Sequence, residues 1–490
     1  MLDLDQLTSW HSNWRDVRAV VFGLGVSGFS AADTLAELGA KTLVVAEKAE
    51  ADLLDILDVI GVPHLTGETA KGVPQAVVEF APDLIIVSPG IRPENELLVW
   101  AKASGVTVWV DIDLAWRLRD KTSRLAHWFT VTGTNGKTTT VQLLTAMLNQ
   151  GGIKAEACGN IGKPILDAIR DPDGFDALVV ELSSFQLHYL GEIFPFSSAC
   201  LNLADDHLDW HGGFEAYKAA KAKVFENTVA ACVYNVMDKS TESMVEDADV
   251  IEGARAIGFT LGIPTRSQIG YVEDILCDRA YLDDRANNAL EIATLEDLGE
   301  IGVLTPHLMA NAAAATALAR SAGVDPEHIR EAIRNFRLDG HRIELVAESN
   351  GVRWIDDSKA TNPHAANASL ASFDRVVWIV GGLLKGVDIS DLVKRHKDKL
   401  AAAIVIGSDR SAVLEALAQN APEVPVAEVF AQDSAEVMQS AVNAAAAHAA
   451  EGDVVLLAPA AASMDQFKDY ADRGNTFAKA VRNLIGGANG

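Results

Sequence analysis

At 490 residues the chain is long enough for about three domains of ordinary size, each with a full core. Hydrophobic residues make up 49% and charged residues 22%, which excludes wholesale disorder. Acidic residues outnumber basic ones 68 to 41, a formal charge of −27, so nucleic acid and anionic membrane are excluded as main partners. A small anionic substrate stays open where cations cluster locally. The four cysteines, Cys158, Cys200, Cys232 and Cys277, lack paired spacing and read as buried thiols of a reducing compartment. The opening MLDLDQLTSWHSNW has no basic segment leading into an apolar one, and no apolar run nears the roughly 20 residues of a membrane span. A cytoplasmic protein without membrane insertion is expected.

In chain order, RAVVFG (18–23) predicts a strand, residues 27–38 a helix stopped by Gly39, and KTLVVAE (41–47) and DLIIVSPG (83–90) further buried strands. The charged stretch RLRDKTSR (117–124) predicts a linker. HWFTVTG (127–133) opens a second unit, whose helix carries Val141, Leu144, Met147 and Leu148 on one face. ALVVELSS (177–184), SSACLNLA (197–204) and the alanine-rich helix 309–323 continue it. RNFRLDGHR (334–342) predicts a second boundary. Strands at VRWIDDS (352–358), RVVWIVGG (375–382), AAAIVIGS (401–408) and DVVLLAPA (453–460) follow. Strand–helix alternation of this kind implies parallel sheets wrapped by helices, and the fold class expected is three consecutive α/β domains.

Five features carry chemistry. Gly23-Leu24-Gly25-Val26-Ser27-Gly28 follows a strand and opens a helix, with Glu47 ending the next strand. It suits NAD, another nucleotide diphosphate, or a tight packing turn. Gly133-Thr134-Asn135-Gly136-Lys137-Thr138-Thr139 is more specific. Backbone amides there can cradle phosphates, Lys137 can neutralise them, and the Thr138 hydroxyl can meet Mg²⁺. Val131 stands where the long phosphate-loop pattern has its first glycine. Glu181 in ELSSFQL, and Asp205, Asp206, His207 and Asp209 in NLADDHLDWH, sit at strand ends where metal ligands near phosphates would lie, although His207 taken alone suits a structural role better. Lys218 and Lys221 in YKAAKAKVFEN read by themselves as a solvated basic face. Lys359, Thr361, Lys385 and Ser463 occupy three late strand-end loops and would suit a small dicarboxylate, or no ligand at all.

Taken together and in order, GTNGKTT, GNIG, ELSSFQL, DDHLDWH, AAKAKVFEN, GHR, DDSKATNP and DQF resemble the Mur ligases of peptidoglycan synthesis over essentially the whole chain. GLGVSG with SPGI, ELSSFQL and MDQF resemble the branch that adds D-glutamate. The D-N-P-R motif of the diaminopimelate-adding branch is missing. The resemblance implies a Rossmann-like domain binding the UDP end of the substrate (1–122), a P-loop ATPase-like domain (123–338) and a Rossmann-like domain for ATP and the incoming amino acid (339–490). It implies ATP with two Mg²⁺ ions, Mn²⁺ being an alternative, small-molecule partners UDP-MurNAc-L-alanine and D-glutamate, and a monomer. It assigns the UDP-muramoyl substrate to Val26, Ser27, Glu47, Ser88, Gly90, Asn160 and Ser183, with Glu47-Lys48 replacing the branch's usual Asp-Thr. ATP falls to Gly133 through Thr139, Asn311, Arg342 and Asp357. One metal falls to Thr138 and Glu181, and the other to His207 and a carbamylated Lys221. D-glutamate falls to Lys359, Thr361, Lys385, Ser463 and Tyr470, the last standing where the family commonly has phenylalanine. Lys137, His207 and Lys221 are the expected catalytic groups.

Overall fold

A computed structural model describes residues 3–337, 340–431 and 433–487. The expected boundary at 338/339 lies outside the described residues. Three α/β sheets follow one another along the chain. The first holds β1 (Arg18–Phe22), β2 (Lys41–Ala46), β3 (His64–Thr66), β4 (Leu84–Val87) and β5 (Thr107–Trp109), in the order β3-β2-β1-β4-β5. All its pairings are parallel. Parallel strands are covered on both faces, which is why β1 and β4 are runs of buried branched residues without alternation.

The second sheet holds β6 (His127–Thr132), β7 (Ala155–Gly159), β8 (Ala177–Glu181), β9 (Ser197–Cys200), β10 (Ala231–Asn235), β11 (Arg255–Phe259), β12 (Gln268–Val272), β13 (Ile275–Asp278) and β14 (Leu290–Thr294). Its order is β14-β13-β12-β11-β10-β9-β6-β8-β7, with β12 and β13 antiparallel. The third holds β15 (Glu344–Ser349), β16 (Val352–Asp356), β17 (Val376–Gly381), β18 (Leu400–Ile406), β19 (Val426–Glu428) and β20 (Val454–Leu457), ordered β15-β16-β20-β17-β18-β19. Here β15 is the antiparallel edge.

The strands read from the sequence are all present. The unread ones are the short β3, β5 and β19, the edge strand β15, and β7 with the run β10–β14. Of these, β3, β5, β7, β14, β15 and β19 lie at sheet margins and β12 and β13 pair antiparallel, while β10 and β11 are interior parallel strands too mixed in sequence to stand out.

The backbone groups into two compact units. One contains the chain up to Leu203, Glu215–Ala293 and Ala310–Ile333; the other contains Ala204–Phe214, Thr294–Met309 and the chain from Arg334 onward. The first two sheets therefore share a unit. Within it, Arg170 pairs with Asp33 and Glu37, the Ser30 hydroxyl donates to Asp167, and Trp116 meets Trp128 edge to face at 5.1 Å. The expected linker is pinned as well: Asp120 accepts from Ser9 Oγ and the Trp10 amide, and Lys121 pairs with Glu37 while lying over the Trp10 ring. All four cysteines are buried and free. Among the described residues, no helix is long and apolar enough to cross a membrane.

Candidate active site

Open parallel sheets bind ligands beyond the carboxyl ends of their strands, where the strand order reverses. In the first sheet that point lies between β1 and β4. Gly23 follows β1 at φ +99, and a Cβ there would stand 2.5 Å from Ser88 Oγ, just after β4. A Cβ on Gly28 would meet the Gly23 carbonyl at 2.1 Å, so both positions require glycine. Val26 opens the following helix, Val26–Glu37, and is 70% exposed. Ser27 lies beside it; Glu47 and Gly90 are exposed at neighbouring strand ends.

In the second sheet β6 lies between β9 and β8, and the loop after β6 is braced from several sides. Gly136, at φ 84, caps the helix Lys137–Gln150. A Cβ there would sit 2.3 Å from Asn311 Oδ1, so Asn311 from the helix Pro306–Ser321 closes directly onto the loop. Lys137 Nζ donates to the carbonyls of Gly133 at 2.8 Å and Thr134 at 3.0 Å. Thr138 and Thr139 are buried in the first turn. Thr138 Oγ1 donates to Glu181 Oε2 at 2.9 Å, and Asn160 Nδ2 donates to Glu181 Oε1 at 3.0 Å. Glu181 is 2% exposed. A buried carboxylate beside a threonine hydroxyl offers hard oxygen ligands of the kind Mg²⁺ takes, and the Asn160 amide orients the carboxylate. Ser183 caps the next helix, Ser184–Tyr189, by reciprocal bonds with Gln186.

Lys221 is not on a solvated face. It is 2% exposed, donating to Gly133 O at 3.0 Å and Thr132 Oγ1 at 3.2 Å, with its ammonium 5.0 Å from the Tyr217 ring. Helix geometry explains the correction: the face of Phe214–Ala222 carrying Tyr217, Ala220 and Lys221 turns inward. Lys218 is half-buried and donates to Ser243.

Two residues that the sequence reading quoted within motifs but did not single out complete this loop. Asn202, just beyond β9, accepts the Asn135 amide on Oδ1 at 2.9 Å and donates Nδ2 to the Asn135 carbonyl at 3.0 Å. Its backbone carbonyl takes the Thr134 amide. Tyr217 shares a hydrogen bond with Thr134 Oγ1 at 2.9 Å. Asn202 opens the NLADDH run whose acids drew attention, and its strand-end position was the available signal. His207 belongs to the 204–214 stretch of the other unit, at φ 53, with Nε2 3.6 Å from Asp206.

Within that unit, three loops follow the adjacent strands β16, β20 and β17. Asp357 is buried, which pushes its carboxyl up to about 6 although Ser369 and Arg342 oppose the shift. His341 Nδ1 lies 2.6 Å from Asp356 Oδ2, and that partner holds the imidazole above its ordinary value. Lys359 Nζ stands 4.8 Å over the Tyr470 ring. Thr361 lies on the same loop, two residues on. Lys385 is at φ 54 and lines a cavity of about 670 Å³ with Leu384, Asp409 and Asp465. The Leu383–Ala462 bridge ties its loop to the one carrying Ser463, which is buried. Arg473, missed in the sequence, fastens two of these loops. Its guanidinium donates to Ser358 Oγ at 3.0 Å, Ser358 O at 2.9 Å and Ala461 O at 3.1 Å. Burial lowers it to about 10.

The Mur ligase middle domain matches residues 131–319, the Mur ligase glutamate ligase domain 341–461, and the MurD-like N-terminal domain 17–110. The chain is 57% identical to the UDP-N-acetylmuramoylalanine--D-glutamate ligase of Leifsonia xyli subsp. xyli, over 99% of this chain and 96% of that one. The chain belongs to the Mur ligase family. The enzyme of the same name from Streptomyces avermitilis is 48% identical, with 96% of this chain and 99% of that one covered. Among solved structures, the UDP-N-acetylmuramate-alanine ligase MurC of Thermotoga maritima superposes with TM-score 0.57 at 18% identity, covering 96% and 100% of the two chains. The MurF ligase of Thermotoga maritima gives 0.56 at 18%, covering 99% and 100%. At that identity the two structures speak for the fold of this Mur ligase alone.

Proposed function

We propose that this Mur ligase joins D-glutamate to UDP-N-acetylmuramoyl-L-alanine with hydrolysis of ATP to ADP and phosphate, as a monomer in the cytoplasm. The observation that carries this reading is the match to D-glutamate-adding ligases across the whole chain, at 57% identity in one case. The site geometry supplies a chemical rationale. A carboxylate resists attack because its oxygen cannot leave. Transfer of the γ-phosphoryl group to the alanyl carboxylate makes an acyl phosphate and ADP. The amine of D-glutamate then adds to the carbonyl, loses a proton, and phosphate departs from the tetrahedral intermediate.

The first step brings two anions together, so cations and oriented amides must offset the repulsion. In this assignment Lys137 and the amides of Gly133 through Thr139 hold the phosphates, with Asn311 against the loop. Thr138 and Glu181 would hold one Mg²⁺, which when bound neutralises phosphate charge. For the second ion, Lys221 is proposed to act as its carbamate: a buried ammonium would repel a cation, whereas the carbamate offers carboxylate-like oxygens. His207 keeps its expected role as a metal ligand and catalytic group. Val26, Ser27, Glu47, Ser88, Gly90, Asn160 and Ser183 take the UDP-muramoyl substrate. Arg342 and Asp357 serve the nucleotide, and Lys359, Thr361, Lys385, Ser463 and Tyr470 the D-glutamate. The corresponding domains are 1–122, 123–338 and 339–490. Phosphate release from ATP and UDP-MurNAc-L-alanine, measured with D-glutamate against L-glutamate, L-lysine and meso-diaminopimelate, tests the reading. Release with D-glutamate alone is expected; no release with any of the four would end it.

A further inference from the structure

The helix Ser184–Tyr189 and the two residues after it do more than cap the strand that carries Glu181. Three ties run from this segment to the ligand edge of the first sheet. The Tyr189 hydroxyl donates to the Ile91 carbonyl at 2.7 Å. Gln186 Nε2 lies 3.4 Å from Asp111 Oδ1, and the Ser27 hydroxyl hydrogen-bonds the same carboxyl. The Gly191 amide donates to Asp113 Oδ1 at 2.8 Å, an approach so close that a Cβ on Gly191 would stand 3.0 Å from that oxygen. Ile91 in turn closes the Ser88-Pro89-Gly90 turn, donating its amide to the Ser88 carbonyl at 3.0 Å. Its Cδ1 would lie 3.3 Å from a Cβ on Gly23. One tie therefore ends on the turn after β4, the second reaches the start of the helix Val26–Glu37 through Asp111 and Ser27, and the third fastens the segment to Asp113 in the helix Asp111–Arg117 that follows β5.

We propose that the segment 184–191 is a latch that sets the turn after β4 and the start of the helix Val26–Glu37 against the Glu181 strand end, with Tyr189 as a positioning residue for the nucleotide-sugar end of the substrate. The inference rests on assigning that end to the first sheet. Packing alone does not require this arrangement. Leu182 and Leu187 already bury the segment, and a phenylalanine would fill the place of the Tyr189 ring. The hydroxyl is the part with a directed partner, and burial pushes its pKa up, so it remains a donor. A wrongly placed SPGI turn would leave the nucleotide-sugar contacts misaligned without touching the phosphate loop or the amino-acid loops.

The test uses the full-length enzyme and the variants Tyr189→Phe and Asp111→Asn. Calorimetric Kd for UDP-MurNAc-L-alanine is measured beside the KM for each of the three substrates and the thermal midpoint. Loss of the phenol bond is expected to raise both Kd and KM for the nucleotide-sugar about fivefold, the scale of one hydrogen bond. KM for ATP and for D-glutamate should stay within about twofold. Asp111→Asn, which removes the charge and keeps an acceptor, should have the smaller effect in the same direction. Unchanged Kd in Tyr189→Phe would overturn the proposal. So would equal rises in all three KM values with a fallen midpoint, the signature of a purely structural role. Wild-type enzyme that binds the nucleotide-sugar without turnover would sink the proposed function and leave the latch to be judged on Kd.

Discussion

The brace that Asn202 places under the phosphate loop makes a quantitative prediction. Asn202→Ala removes two hydrogen bonds, one to the amide and one to the carbonyl of Asn135, while the Asn202 backbone bond to Thr134 remains. Each such bond contributes about 0.5–1.5 kcal/mol net, so about 1–3 kcal/mol of loop ordering is lost. Asn202 is only half-buried, so water can reach the freed groups and the lower part of that range applies. If the ordering must be restored when nucleotide binds, KM for ATP rises by about 5- to 30-fold, since 1.4 kcal/mol is tenfold. KM for D-glutamate should not move, because its proposed loops follow a different sheet. The assay is steady-state ADP release with each substrate varied in turn, beside a thermal melt that checks folding. Asn202→Asp, which keeps an acceptor for the Asn135 amide but sets a carboxylate against its carbonyl, should be worse than alanine. A KM for ATP within twofold of wild type in Asn202→Ala would refute the reasoning.

Gly136→Ala places a methyl 2.3 Å from Asn311 Oδ1 at φ 84, and nucleotide binding, followed by fluorescence of an ATP analogue, should be abolished while the fold survives. Lys221→Ala should lose activity, and added formate should partly restore it; the absence of any rescue would count against the carbamate. Asp113 is raised to about 6 by burial, so its proton is held more tightly in the folded than in the unfolded chain. Its contribution is full below the unfolded value and is lost as pH rises through about 6, so between pH 4.5 and 7.5 wild type should lose about 2 kcal/mol that Asp113→Asn does not. Urea midpoints at the two pH values check this. Arg473→Met should leave the Ser358 and Ala461 carbonyls unpaired and raise KM for D-glutamate, with KM for UDP-MurNAc-L-alanine unchanged.

The backbone plan was legible because it rests on local chemistry. Buried parallel strands such as β1, β4, β17 and β20 are continuous apolar runs, and glycine turns such as Gly23–Gly28 and Gly133–Gly136 announce where a strand hands over to a helix. The expected phosphate loop, Glu181 and the late lysine loops fall at strand ends for the same reason: in such sheets that is where functional groups can sit. Tertiary structure decided which side chains meet. Asn202 and Tyr217 bond to the phosphate loop from 67 and 83 residues away, and Arg473 reaches Ser358 across 115, distances over which no periodicity survives. Lys221 reads as a surface charge until the inward face of its helix is known, because solvent exposure belongs to packing and not to spacing. The pairing of the first two sheets in one unit likewise came from Arg170 and Tyr189 finding partners that lie beside them only in the folded chain.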